Sequence, residues 1–316
     1  MRKQSWVLPD GIDEQLPFMA WKIEEARRKC LDLFRDAGFG LIMPPMIEFL
    51  DSLTAGVGAD LIDQIVVATD RISGRLIGIR SDITPQAARI DAHAINDAGE
   101  TRLCYCDSII RSKPLPGEII RNPLQVGVEY FGATGIDADS EIISLSIATV
   151  RLFSKRQLLV DIGHAGLLKR VLSGLPADKR IFCLNALQRK DPLDLSMIEG
   201  TIGYTIRWLA EFYGNPQRIL HQDNVPETIK SDPAFFEVKS LLDDLKNLDV
   251  EFYIDFGETR GYDYHTGIVF SIYNKDSDVL VARGGRYDDI GSIFGRRRPA
   301  TGFSSDLSVL SGLADD

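Results

Sequence analysis

Residues 260–270 read Arg260-Gly261-Tyr262-Asp263-Tyr264-His265-Thr266-Gly267-Ile268-Val269-Phe270. A guanidinium, a carboxylate, two phenols and an imidazole fall within six positions, and an apolar β-type run follows at once. A strand built only for packing has no use for that density of polar aromatics. A guanidinium meets a carboxylate in a forked geometry. Phenol and imidazole rings stack on, or hydrogen-bond to, another ring. The pattern therefore suits a pocket for a small zwitterion with an aromatic or heteroaromatic side chain, with Arg260, Tyr264 and His265 as its candidates. A hairpin strand with surface aromatics is the plainer alternative, and the clustering speaks against it.

Three further groups of residues carry chemistry. In Arg80-Ser81-Asp82-Ile83-Thr84-Pro85, a carboxylate and a hydroxyl stand two residues apart at the mouth of a helix. An ammonium group has three donors and needs such acceptors. The same residues also fit an ordinary helix cap. In Gln125-Val126-Gly127-Val128-Glu129, Gln125 and Glu129 share one face of a strand while Val126 and Val128 take the other. The polar face is either wet or the wall of a pocket. Arg283-Gly284-Gly285-Arg286-Tyr287-Asp288 reads as a turn after a strand and lacks the spacing of a dinucleotide fingerprint.

Apolar periodicity places helices over 18–37, 84–98 and 139–154, and a helix from Ala165. Strands are expected at 40–45, 65–69, 76–79, 102–111, 122–132, 158–162, 251–256, 269–273 and 279–282. Residues 294–301 read as a basic loop, and 305–313 as a closing helix. Helices and strands without strict alternation point to an α+β fold with an antiparallel sheet. No linker divides residues 1–316, and a small helical insertion is expected within about 175–240.

The net charge of −10 argues against a broad nucleic-acid surface, which needs clustered Lys and Arg. Arg296-Arg297-Arg298 could reach a nucleotide, but a solvated basic loop is the simpler reading. Cys30, Cys104, Cys106 and Cys183 form no zinc pattern, and Cys104 and Cys106 share one face of a strand. His93, His164 and His221 show no metal spacing either. Scattered thiols fit a reducing compartment. Residues 1–10 hold no apolar signal core, and no run is long enough to span a bilayer. A cytoplasmic location without membrane contact is expected.

Taken in order along the chain, these segments resemble the class II catalytic core of histidyl-tRNA synthetases. Leu8-Pro9-Asp10-Gly11 is similar to the family's N-terminal lead-in, and Pro44-Pro45-Met46-Ile47-Glu48 to motif 1, the strand at the dimer interface. Arg80 to Thr84 resembles the R-P-E-G-T segment, and Arg111 to Gly132 resembles motif 2. Arg260 to Phe270 resembles the histidine motif, and Gly284 to Asp288 the segment after it. Residues 302–310 resemble motif 3. The departures matter as much. Where the synthetases carry Arg-x-Glu in motif 2, this chain has Arg111-Ser112-Lys113. Where they carry a phosphate-binding arginine in motif 3, it has Val309 beside Ser308. Losing such a charge-assisted contact costs about 1.5–3 kcal/mol, and more in a transition state that builds charge. The sequence also stops at Asp316, where a synthetase would add a domain that reads the anticodon.

That combination resembles the synthetase-like regulatory subunits of ATP phosphoribosyltransferase, which serve the first step of histidine biosynthesis. The resemblance implies a class II-like core without an anticodon-binding domain, and no aminoacylation, catalytic residue, tRNA, metal or cofactor. It implies self-association through a class II-type dimer and a hetero-octamer with a short-form catalytic subunit. That partner's activity and feedback inhibition would both depend on this chain. It further implies L-histidine as the ligand. Asp82, Thr84 and Gln125 would receive the α-ammonium group and Arg260 the carboxylate. Glu129, Tyr264 and His265 would read the imidazole, with Tyr287 closing the pocket and Arg111 facing the carboxylate end.

Overall fold

The computed structural model describes residues 7–55, 59–95, 99–115, 119–221, 223–277 and 279–313. Eleven strands are present among them: β1 (Gly40–Leu41), β2 (Ile47–Phe49), β3 (Val66–Thr69), β4 (Leu76–Ile79), β5 (Thr101–Ser108), β6 (Leu124–Phe131), β7 (Leu158–His164), β8 (Glu251–Ile254), β9 (Ile268–Asn274), β10 (Val279–Arg286) and β11 (Ala300–Asp306). Eight form one sheet in the order β1-β5-β6-β11-β10-β9-β7-β8, and β2-β4-β3 form a small second sheet. The six inner strands of the large sheet are antiparallel, as expected. The outer strands β1 and β8 run parallel to their neighbours, so the whole sheet is mixed. Parallel neighbours need a long crossover. Between β7 and β8 that crossover is largely helical, with helices at Ala165–Leu172, Ala177–Gln188, Gly200–Glu211 and Pro233–Leu245. Residues 175–240 lie inside it. No helix among the described residues is long and apolar enough to cross a membrane.

One face of the sheet is covered by helices. The Pro17–Asp36 helix buries Ile23, Ala26, Cys30 and Phe34, spaced three and four apart. It stops in a Schellman turn: Phe39 N donates to Phe34 O at 2.9 Å, and Gly38 N to Arg35 O at 2.9 Å, with Gly38 at φ 85°. The Ile136–Arg151 helix adds Ile142, Ile143 and Val150, which pack in the same core as Val126 and Val128 of β6 and Val160 of β7. Cys30, Cys104, Cys106 and Cys183 are buried and free. His164 caps the Ala165–Leu172 helix, its Nδ1 accepting from Leu167 N at 3.1 Å.

Four expectations change. The segment read as a basic loop ends in β11, which begins at Ala300 and pairs with both β6 and β10 at the centre of the sheet. Its composition, Ala-Thr-Gly-Phe-Ser-Ser-Asp, has little of the β-branched character by which strands are recognised. Small residues are required there: a Cβ on Gly302 would lie 1.9 Å from Glu129 Oε2 and 2.5 Å from Val128 O. The Gly284-Gly285 pair is likewise strand and not turn. A Cβ on Gly284 would meet Gly302 O at 2.2 Å and the Phe270 ring at 2.8 Å, so these glycines permit close approach between strands. The helix expected over 84–98 is α-helical at Thr84–Ile90 and π-helical at Asp91–Ile95, and residues 96–98 lie outside the described residues. Finally, Arg298 is buried and paired with Asp91 at 3.0 Å, so the arginine run anchors a loop to this helix and is not simply solvated.

One turn is strained. Lys190, at φ 53°, is the only described residue other than glycine with positive φ. That conformation costs about 1–2 kcal/mol for a residue with a Cβ.

Gly302→Ala is expected to lower the unfolding free energy by about 1–3 kcal/mol through overpacking against Glu129 and Val128. Urea denaturation monitored by circular dichroism reads this, and an unchanged midpoint would refute the close-approach argument.

Candidate functional site

The sheet's other face holds a cavity of about 250 Å³. Asp82, Thr84, Arg111, Glu129, Arg260, Tyr264, His265 and Tyr287 all line it. Of the nine residues singled out in the sequence, only Gln125 does not. It lines an adjoining cleft of about 490 Å³ and reaches Asp82 from behind.

Glu129 is the deepest polar group, 1% exposed. Thr84 Oγ1 donates to its Oε1 at 2.7 Å and Tyr105 OH at 2.9 Å, while Tyr287 OH bonds Oε2. Burial pushes the carboxyl up to about 8, against the pull of these hydroxyls. Glycines make the space. Gly302 faces Glu129 across β11, and a Cβ on Gly127 would stand 2.7 Å from Tyr105 OH. Tyr105 escaped the sequence reading because its strand looked like plain packing. Its cross-strand partner is Gly127, a position that signals a large neighbour.

The aromatic wall is Tyr264, His265 and Tyr287. Tyr264 and Tyr287 stack with centroids 5.1 Å apart, and His265 meets Tyr264 edge-on at 5.1 Å. His265 Nδ1 lies 3.2 Å from Gly261 O. A carbonyl only accepts, so Nδ1 carries the proton. Burial, with Arg283 and Lys169 nearby, pushes this imidazole down to about 4. It is therefore neutral at pH 7 and offers Nε2 as an acceptor. The Tyr264 hydroxyl is buried beside Thr84, in the field of Glu129 and Asp82. Its ionisation is pushed well above the ordinary tyrosine value, first by burial and then by Glu129, so it remains a donor.

At the mouth, Asp82 is held by its neighbours. Its Oδ1 accepts from Thr84 N at 3.0 Å, as a cap does, and from Gln125 Nε2 at 2.9 Å. Gln125 Oε1 in turn accepts from Ile83 N at 3.0 Å. Neither face of β6 is wet, since Gln125 and Glu129 are both buried. Arg80 is structural: it donates to Pro44 O at 2.7 Å and Ser108 O at 2.8 Å.

Arg260 is not turned toward the cavity's centre. Its Nε and Nη2 fork onto Glu258 Oε2 at 3.0 and 2.7 Å, and Nη1 donates to Tyr273 OH at 2.6 Å. Glu258 belongs to a group of carboxylates with Asp161 and Asp255 whose oxygens lie within 4.8 Å of one another. Burial, followed by the other two acids, pushes Asp161 up to about 7. An aspartate within the apolar run Leu158–Ile162 was the sequence signal for this group.

The departures from the synthetase pattern sit in two different places. Val309 lines the adjoining cleft with Arg111, Arg260 and Arg283. Lys113 is exposed, and its backbone N donates to Gln64 Oε1 at 3.3 Å.

Glu129 has a measurable signature. Its carboxyl titrates near 4.5 in the unfolded chain and near 8 in the folded one, so the folded state holds the extra proton between those values. Its contribution is favourable below pH 4.5 and is lost as pH rises through 8. The stability of Glu129→Gln relative to the unaltered chain is therefore expected to improve steadily from pH 5 to pH 8 in urea titrations. A pH-independent difference would contradict the burial argument.

A model of the histidyl-tRNA synthetase family matches residues 11–310. The ATP phosphoribosyltransferase regulatory subunit of Azoarcus sp. (strain BH72) is 42% identical, with 97% of this chain and 81% of that protein covered. The protein of the same name from Cupriavidus pinatubonensis is 42% identical, with 98% and 82% covered. Among solved structures, an ATP phosphoribosyltransferase regulatory subunit/histidyl-tRNA synthetase from Bacillus halodurans superposes with a TM-score of 0.85 at 23% identity, covering 100% of this chain and 85% of that one. A chain of the ATP phosphoribosyl transferase (HisG:HisZ) complex from Thermotoga maritima gives 0.68 at 20% identity, with 93% and 98% covered. At these identities the structures speak to fold, and the sequence relatives speak to family. By its sequence relatives the chain belongs to the ATP phosphoribosyltransferase regulatory subunits, a family matched by the histidyl-tRNA synthetase model.

Proposed function

We propose that this regulatory subunit senses free L-histidine in the cavity around Glu129 and transmits its presence to a short-form catalytic subunit of ATP phosphoribosyltransferase. The observation that carries the reading is a buried carboxyl under three hydroxyls, with a buried tyrosine hydroxyl beside it, at the end of an aromatic-walled cavity. An imidazole has two ring nitrogens and can answer both groups. A ligand without them forgoes contacts at this polar end of the cavity, and that difference is how a polar pocket discriminates against near-isosteres. Asp82 and Thr84, steadied by Gln125, supply acceptors for the α-ammonium group. Arg260, with Arg111 behind it, supplies the cation for the carboxylate.

The reading treats residues 1–316 as one synthetase-like core, with 175–240 inserted, acting in the cytoplasm. It pairs two such cores through the motif 1 region and places them in a hetero-octamer with the catalytic chain. Histidine alters catalysis next door only by binding one quaternary state better than another. A preference of about 1.4 kcal/mol gives a tenfold effect. Activation of histidine by ATP is not part of the reading, because Val309 offers nothing to a phosphate.

Co-expression with a short-form catalytic subunit, followed by mass measurement and assay with and without histidine, tests the proposal. Histidine is expected to inhibit the complex. Glu129→Gln is expected to weaken that inhibition tenfold to a hundredfold, corresponding to about 1.5–3 kcal/mol, with uninhibited turnover retained. Histidine-dependent pyrophosphate exchange by the purified chain would point instead to a divergent synthetase. Absence of any heat with histidine would leave only a scaffold.

A further inference from the structure

Lys190 occupies the position after the Ala177–Gln188 helix where glycine is favoured. Asp191 N donates to Ala186 O at 3.0 Å and Lys190 N to Leu187 O at 3.0 Å, the same Schellman pairing that Gly38 completes elsewhere. A side chain kept there against the backbone's preference points to a use for it. It passes over the Tyr213 ring at 5.0 Å and ends on Asp255, with Nζ 2.5 Å from Oδ2 and 2.6 Å from Oδ1. Asp255 adjoins Asp161 of β7 and Glu258, and Glu258 holds Arg260, which Tyr273 of β9 steadies from the other side. Three carboxylates thus share two cations.

The fork that Arg260 makes on Glu258 is the same fork a ligand carboxylate would need. When Arg260 turns to a ligand, the carboxylates keep one cation, and that cation is Lys190. We propose that Lys190 sets the cavity's affinity for a ligand carboxylate, by supplying the charge that lets Arg260 leave Glu258. This rests on reading the cavity as an amino-acid site. Lys190 touches no ligand in this account: it is a positioning residue, acting through Asp255 and Glu258. Without it, the three carboxylates share Arg260 alone. The guanidinium is then held more firmly, and an entering carboxylate meets a more negative wall. Neutralising Glu258 has the opposite effect, since the fork is lost and Arg260 is released.

Calorimetry of the full chain with L-histidine and with L-histidinol, which carries a hydroxymethyl group in place of the carboxylate, tests this. Lys190→Gly suits the local backbone but leaves the buried Asp255 without its cation, so a urea titration confirms that the variant is folded before it is titrated with ligand. It is expected to weaken histidine at least tenfold while moving histidinol less than twofold. Lys190→Arg should restore the preference, and Glu258→Gln should enlarge it at least threefold. Equal weakening of both ligands by Lys190→Gly would reduce the lysine to a structural role and overturn the proposal. So would an unchanged preference in Lys190→Gly or in Glu258→Gln. If the unaltered chain binds neither ligand, the amino-acid reading falls and takes this inference with it. If it binds both and only the variants disagree, the reading stands and the inference alone fails.

Discussion

Burying Glu129 constrains everything around it. A carboxyl that is 1% exposed must be surrounded by partners, and here three hydroxyls from three separate parts of the chain converge on it. Thr84 comes from the start of a helix, Tyr105 from the neighbouring strand, and Tyr287 from just beyond β10. None can move without leaving a buried polar atom unpaired. The glycines at 127 and 302 follow from the same need, because strands carrying Tyr105 and Glu129 toward one spot must be bare opposite them. The fold thus provides a rigid floor, while the loop carrying Arg260 and the segment carrying Lys190 provide the groups with alternatives.

Much of this was legible in the chain. The alternation Gln125-Val126-Gly127-Val128-Glu129 gave the strand and its polar face, and the density of residues 260–270 marked the aromatic wall. What could not be read were relations between distant residues. Nothing local says that Glu258 claims the Arg260 guanidinium, since two charged residues so close in sequence usually sit on a solvated loop. Nothing in Ala300–Asp306 announces a central strand, because its glycine answers to Glu129 and Val128 and not to β-propensity. Arg298 looked like surface charge until its partner Asp91, two hundred residues earlier, was in view.

The same comparison explains how a synthetase core lends itself to regulation. The cavity around Glu129 and the cleft beside Val309 adjoin and share Arg111, Arg260 and Arg283. Val309 alters the second cavity and leaves the first untouched. Because the two are separable in space, one function can decay while the other keeps its geometry. Family membership fixes the regulatory role, and the charge pattern around Arg260 indicates where that role can be tuned.

The position of β11 carries a consequence for biosynthesis. It zips together two half-sheets, one ending in β6 and the other in β10, yet it emerges from the ribosome some 170 residues after β6. Until then the β6 edge keeps its hydrogen-bonding groups bare, while β10 waits only for the short stretch that joins it to β11. Such long-range closure is slow and exposes sticky intermediates. The β6 edge is therefore the one left open longest as the chain is made.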